Sequence, residues 1–206
     1  LTGSGLLDQL AFNNNKLATL SPPCLRKRCL GNCLPQPDAT TTAMKESLEV
    51  LYLVLAELDI PTSIRTVTDR LLIQKSIFLA QTVGQVPLGY SYGWYVRGPY
   101  APSLTRDYYA LQSEMTSFNS ATTEQPRTHS LRDDISQRLH IVAKLLTPPN
   151  DIPLTKSAWA ELIASVIYLS RVERRSKESV KKRITETKPW LAEYTIRAIE
   201  VASAYL

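Results

Sequence analysis

Two neighbouring stretches of the sequence decide how the fold is interpreted. They read Arg70-Leu-Leu-Ile-Gln-Lys-Ser-Ile-Phe-Leu-Ala-Gln81 and Gly89-Tyr-Ser-Tyr-Gly-Trp-Tyr-Val-Arg-Gly-Pro-Tyr100. In the first, apolar residues recur at the spacing of one helix face, and Gly84 behind it provides a helix stop. In the second, aromatic residues fall at alternate positions, which is typical of a strand or an extended loop. The two stretches therefore predict a helix followed by an aromatic hairpin or extended loop.

Helical patterns extend on both sides of these stretches. Apolar residues at helical spacing continue the first stretch back to Ile64 and on to Thr82, and they recur in six further segments. These segments are residues 45–58, 103–115, 130–146, 155–172, 176–184 and 190–205. Residues that can begin or cap these helices are Thr62 or Ser63, Ser103, Ser130, Ser176 and Pro189. The sequence predicts a mainly α fold, a compact bundle of about seven helices with one short aromatic hairpin or extended loop.

The two stretches resemble the Panacea family, an antitoxin domain found in SocA-like and phage-associated proteins and in related uncharacterised bacterial proteins. Gln74-Lys75 matches the helix signature of that family, residues 98–100 match its Gly-Pro-aromatic turn, and Leu104 matches the following helix. Arg97 stands where the family commonly has Tyr. The resemblance implies that residues 44–206 form a helical domain that neutralises a toxin encoded nearby by direct contact. It also implies that such a domain can deliver its toxin to a protease.

Residues beside the Gly-Pro turn are the candidates for contacting a partner. We predict this role for Tyr95, Arg97 and Tyr100, because Tyr and Arg often anchor interfaces. The other residues of the motif have a structural interpretation, in which they set the turn or fill the core. These are Gln74, Lys75, Trp94, Gly98, Pro99 and Leu104. For Tyr95, Arg97 and Tyr100, both contact with a partner and a structural role stay open.

Positive charge is concentrated near the C-terminus. Residues 171–188 contain eight Lys or Arg and three Glu, and this excess of five equals the formal net charge of +5 of the whole chain. We expect an exposed basic face that includes Arg174, Arg175, Lys181 and Lys182. Such a face is either a solvated helix surface or an attractor of phosphates. A DNA-binding regulator that uses this face is therefore an alternative function.

Residues 1–43 differ in composition from the rest of the chain. They are rich in Asn, Pro and Thr and are predicted to be an N-terminal, partly disordered appendage. Its cysteines are Cys24, Cys29 and Cys33. An odd number of cysteines argues against a closed disulfide framework and favours a reducing compartment. We favour free thiols, but zinc with His129 or His140 as a fourth ligand, or an iron–sulfur cluster, would make a metal- or redox-responsive protein the other alternative.

The sequence contains no pattern that predicts catalysis. It has two histidines and seven glycines and lacks the Gly-x-Ser-x-Gly, Gly-x4-Gly-Lys and His-Glu-x2-His motifs. Its longest apolar run, residues 50–56, is shorter than the roughly 18–20 residues that span a bilayer. The first residues do not follow the order of a secretory signal. We therefore expect a cytoplasmic, non-enzymatic protein-binding module that needs no cofactor and does not enter a membrane.

Overall fold

The computed structural model describes residues 9–13, 44–120 and 129–206. These residues form seven α-helices and two short pairs of antiparallel strands, which confirms the predicted mainly α fold with a short hairpin. In chain order the elements are β1 (Ala11–Asn13), α1 (Glu46–Glu57), α2 (Val67–Thr82), β2 (Gly93–Tyr95), β3 (Gly98–Tyr100), α3 (Pro102–Ser120), β4 (His129–Leu131), α4 (Asp133–Leu146), α5 (Lys156–Ile167), α6 (Lys177–Thr187) and α7 (Thr195–Ala202). A π-helical turn (Tyr168–Val172) follows α5, and 3-10 turns (Pro189–Tyr194 and Ser203–Tyr205) flank α7.

Helix α5 lies at the centre of the bundle. Every side chain from Trp159 to Ile167 is buried, as expected of a helix that is apolar on nearly all sides. It packs mainly against α2 and α7. The indole Nε1 of Trp159 donates a hydrogen bond to the carbonyl oxygen of Leu145 on α4 at 3.0 Å. Any polar side chain on the buried part of α5 must therefore find its partner inside the protein.

Helix α2 begins at a different cap from the one predicted. Thr66 is the N-cap residue: its side chain accepts a hydrogen bond from Asp69 N, and the Asp69 carboxylate accepts one from Thr66 N. These hydrogen bonds to Thr66 are the main reason why the pKa of Asp69 lies below its usual value. The prediction of Thr62 or Ser63 as the cap was wrong. Ser63 instead donates to the Asp69 carboxylate from outside the helix.

Two other predicted helix starts differ from the structure. Helix α3 begins at Pro102, ahead of Ser103, because proline has the backbone angle of a first helical residue and needs no hydrogen-bond partner for nitrogen there. Ser130 does not cap α4. It lies in β4, which pairs with β1 so that Leu131 is opposite Ala11, and α4 starts only at Asp133. Ser130 followed three residues later by Asp133 resembles a capping box, and pairing with a distant strand overrides this local signal.

The N-terminal segment contributes to the core at the point where the structure describes it. Leu10 is fully buried, and Arg132 donates a backbone hydrogen bond to its carbonyl oxygen at 3.0 Å. The apolar residues between Leu6 and Phe12 favour a short helix, but Ala11–Asn13 is a strand, so that prediction was wrong for these residues. Among the described residues, no helix is both long enough and apolar enough to cross a membrane.

Candidate functional site

The predicted aromatic hairpin consists of β2 and β3. The strands pair antiparallel, with Tyr95 opposite Gly98. Val96 and Arg97 form the turn between them, whereas Gly98 and Pro99, which were predicted to set the turn, lie in strand β3. Gly98 has a φ of +85°, in the left-handed region that favours glycine, and a Cβ atom there would lie 2.5 Å from Ser165 Oγ on α5. Gly98 therefore allows the hairpin to lie directly against the central helix.

Gln74 ties the end of the hairpin to α2. Its buried side chain accepts a hydrogen bond from Ala101 N and donates one to Ala101 O, both at 3.0 Å. Its Nε2 also donates to Thr105 Oγ1 at 3.0 Å, and that hydroxyl donates to Tyr100 Oη at 2.8 Å. Leu104, between these partners, is fully buried. The network holds Tyr100 at a set position relative to α2.

Lys75, the neighbour of Gln74, supports the hairpin from below. Its ammonium is buried and donates to the carbonyl oxygen of Pro99 at 2.6 Å. Burial lowers the pKa of Lys75 to about 7. Repulsion from Lys188 and Arg97 contributes to this lowering, whereas attraction to Glu161 opposes it. Among the described residues, no carboxylate forms an ion pair with Lys75. This amine therefore titrates near physiological pH.

A buried carboxylate, Glu161, was not identified from the sequence. It lies on α5, where Lys188 Nζ donates to its Oε1 at 2.5 Å and Arg97 Nη1 lies 3.5 Å from its Oε2. Lys188 is fully buried, and burial lowers its pKa. Lys188 therefore does not belong to the exposed basic face predicted for residues 171–188. A charged residue within the apolar run 159–167 was the signal that could have pointed to such an internal pair.

Trp94 faces away from the turn and packs into the protein. Its ring lies 5.7 Å from the ring of Tyr168, and the cationic groups of Arg183 and Lys188 each lie 5.9 Å from its centre. These contacts link the hairpin to the π-helical turn and to α6. Trp94 thus has the surroundings of a structural residue, whereas Tyr95, its neighbour in the strand, is exposed.

A pocket of about 420 Å³ lies between the hairpin, α2 and α3. We call it the hairpin pocket. The three residues predicted to face a partner, Tyr95, Arg97 and Tyr100, all line it. Arg70 and Lys75 are two further basic side chains in its lining, and no lining residue that the structure describes is acidic. Trp94, Pro99 and Leu104 do not line the pocket.

Several apolar side chains that line the hairpin pocket are exposed. Four large hydrophobic side chains in its lining are exposed: Val67 by 58%, Tyr95 by 63%, Val96 by 71% and Tyr109 by 50%. We call these four residues the apolar rim. They are four of the nine large hydrophobic side chains that are exposed in the described part of the chain. The ring centre of Tyr95 lies 5.5 Å from that of Tyr100 with the rings tilted by 34°, so the rim continues into the pocket as an aromatic pair.

The predicted basic face is exposed at all four of its named residues, which are Arg174, Arg175, Lys181 and Lys182. Arg175 pairs with Glu173 at 2.6 Å, which reduces the free charge of the face. Ser176 caps α6 as predicted, by accepting a hydrogen bond from Ser179 N. The face and the hairpin pocket have no residue in common.

The cysteines of the predicted metal alternative, Cys24, Cys29 and Cys33, lie outside the described residues. Each histidine considered as a fourth ligand lies beside a carboxylate: His129 Nδ1 is 2.9 Å from Glu49, and His140 Nε2 is 3.4 Å from Glu57. Within the ranges that the structure describes, no three potential metal-ligating side chains lie together.

Comparison of the chain with protein-family models, with curated proteins and with solved structures finds no match. The resemblance to the Panacea family therefore rests on the motif residues themselves. Its implications for function stay predictions.

Proposed function

We propose that this chain is a non-enzymatic protein-binding module that binds its partner at the hairpin pocket and its apolar rim. The observation that carries the proposal is the clustering of exposed apolar side chains at one concave site. Exposed hydrophobic residues scattered singly over a surface need no explanation, whereas a contiguous patch around a pocket is typical of an interaction site. Tyr, Trp and Arg are also the side chains that most often contribute the largest share of binding energy.

The buried contacts that hold the hairpin beneath the apolar rim fit a role in binding a partner. Gln74 and Lys75 bond to the backbone at Ala101 and Pro99, and Gly98 packs on Ser165. Because buried groups hold the hairpin, its exposed side chains are arranged before a partner arrives, which reduces the ordering that binding requires. The motif thus divides into a buried part that fixes the hairpin and an exposed part that is free to make contacts.

The resemblance to antitoxin domains supports a specific kind of partner. We infer that the partner is a toxin encoded nearby and that the chain, acting in the cytoplasm as an antitoxin or phage-associated regulator, neutralises it by direct contact. The alternative of a DNA-binding regulator has less support, because Glu173 pairs with Arg175 within the basic face. A metal- or redox-responsive role has no support from the described residues.

Co-expression with the product of the adjacent gene, scored by growth, tests the proposal. Tyr95→Ala and Arg97→Ala should abolish protection while changing the melting temperature little, since both side chains are more than half exposed. Tyr100→Ala should also abolish protection, although it additionally removes the acceptor of the Thr105 hydroxyl. Ile141→Ala is the matched control, because Ile141 is an exposed aliphatic residue outside the pocket. Protection by the pocket variants equal to that by the parent would overturn the proposal.

A further inference from the structure

Resting on the proposed function, we infer that the hairpin pocket receives a partner segment in which an acidic side chain lies next to an aromatic or large aliphatic one. The pocket is lined by Arg70, Lys75 and Arg97 and by no acidic residue that the structure describes. A pocket with cationic groups and without carboxylates of its own complements an anionic group.

Two arginines at the pocket have N–H donors left for a ligand. Arg70 Nη1 donates hydrogen bonds to the carbonyl oxygens of Ile64, at 2.7 Å, and Arg65, at 3.5 Å. An arginine carries five N–H donors, so further donors remain for a ligand. Arg97 is 55% exposed and lies 3.5 Å from Glu161, a carboxylate that Lys188 already contacts at 2.5 Å. Arg97 can therefore turn to an incoming carboxylate without leaving Glu161 unpaired.

Carboxylate is the anion that fits this surface best. Arginine binds carboxylates through two parallel hydrogen bonds, and such charge-assisted bonds are stronger than neutral ones. A nucleic acid also uses aromatic and cationic side chains, but it needs a continuous basic track along its backbone. Here Lys75 is buried and Arg70 is only partly exposed, which leaves Arg97 as the most exposed cation of the pocket.

The apolar part of the pocket defines the neighbouring group of the partner. The aromatic pair Tyr95–Tyr100, together with Leu71 and Tyr108, provides walls for one ring or branched aliphatic group. A volume of about 420 Å³ lies within the range of small-ligand pockets, roughly 300–1,000 Å³. Because Val67, Val96 and Tyr109 line the pocket and are exposed, its apolar surface reaches the outside of the protein, and a protein segment covers more of it than a free small molecule does.

Matched peptides test this inference on the full chain by amide NMR titration. The probes are N-acetyl-Phe-Glu amide and N-acetyl-Phe-Gln amide, which differ in one charge. We expect both to shift the amides of the hairpin, and the Glu peptide to bind about tenfold more tightly, as one charge-assisted hydrogen bond would produce. In Arg97→Gln the two dissociation constants should become nearly equal. Arg97→Lys should retain part of the preference, and Lys182→Gln, on the basic face, should retain all of it.

Several outcomes would overturn the inference. These are equal affinity of the two peptides for the parent, a preference that survives both Arg97→Gln and Arg70→Gln, or no shift at the hairpin with either peptide. Tighter binding of N-acetyl-Phe with its free terminal carboxylate, or of a single-stranded oligonucleotide, at the same amides would assign a different ligand. If Tyr95→Ala abolishes protection in cells but the two peptides bind equally, the proposed function stands and only the acidic specificity fails. If the adjacent gene product does not bind, the proposed function fails whatever the peptides show.

Discussion

The side chain of Gln74 and the backbone of Ala101 form hydrogen bonds with each other in both directions. Gln74 Oε1 accepts from Ala101 N and Gln74 Nε2 donates to Ala101 O, each at 3.0 Å and out of contact with solvent. The side-chain amide of Gln74 thus makes the two hydrogen bonds that a neighbouring strand would otherwise make with the backbone of Ala101. The segment between the hairpin and α3 depends on it.

Gln74→Ala should therefore lower the free energy of unfolding by about 3 kcal/mol, because it leaves a buried N–H and a buried carbonyl without partners. Chemical denaturation monitored by circular dichroism measures the loss. Gln137→Ala is the control, since Gln137 is an exposed helical residue and should change stability little. Similar stability of the two variants would show that water or a rearranged backbone satisfies Ala101.

Gly98→Ala should destabilise the protein through both backbone strain and a steric clash. The residue has positive φ, and an added Cβ would meet Ser165 Oγ at 2.5 Å but Ser165 Cβ only at 3.6 Å. Removing the hydroxyl with Ser165→Ala should therefore relieve the clash but not the strain. In a double-mutant cycle the loss caused by Gly98→Ala should be smaller in the Ser165→Ala background, by about 1 kcal/mol.

Gly93 provides the matched control for that cycle. It lies in the partner strand of the same hairpin, and an added Cβ would contact nothing within 4 Å. Gly93→Ala should be nearly neutral. A loss from Gly98→Ala that is the same with and without the Ser165 hydroxyl would show that the hairpin moves away from α5 instead of clashing with it.

Glu161→Gln should destabilise the fold because Lys188 would then be a buried cation without a counter-charge. Loss of one member of a buried ion pair typically costs about 3–5 kcal/mol, whereas an apolar replacement of both members is tolerated far better. The double variant Glu161→Gln, Lys188→Met should therefore recover part of the stability. Glu200→Gln serves as the control, since its ion pair with Arg197 is exposed and should matter little. A double variant less stable than Glu161→Gln would contradict this account.

The stability of the parent should rise with pH above about 7 through Lys75. The folded pKa of Lys75 is about 7 and its ordinary value is 10.5, so between these values the unfolded chain binds the extra proton. The free energy of unfolding increases with pH wherever the unfolded state binds more protons. Below about pH 7 both states are protonated, and burial of the charge opposes folding in full. Melting temperatures from about pH 7 to pH 9 measure the slope.

Lys75→Met isolates the contribution of this one amine. Lys188 also has a lowered pKa and contributes a slope of the same sign, so the parent and the variant must be compared directly. The variant should show a weaker rise than the parent, while Lys182→Met, at an exposed position, should follow the parent. Parallel curves for the parent and Lys75→Met would mean that Lys75 stays protonated inside the protein throughout this range.

Local patterns predicted most helices and some of their starts. Ser176 caps α6, with Val180 and Ile184 as its buried face, and Pro189 begins the turn before α7, all as expected. The cap of α2 was missed although its signal was present, because Thr66 followed three residues later by Asp69 is a capping box with Asp in place of Glu. Ser130 carried a similar signal and does not cap. What distinguishes Ser130 from Thr66 is its pairing with strand β1, which lies near the start of the sequence.

By itself, the sequence determined the helical segments and the position of an aromatic hairpin or extended loop, because apolar periodicity, caps and glycine act over a few neighbouring residues. Only the tertiary structure decided that Glu161 and Lys188 form an internal pair and that Arg70 joins Arg97 at one pocket. It also decided which side of the hairpin is exposed. These contacts join residues far apart along the chain, so they depend on how the helices pack around α5, which no local pattern encodes.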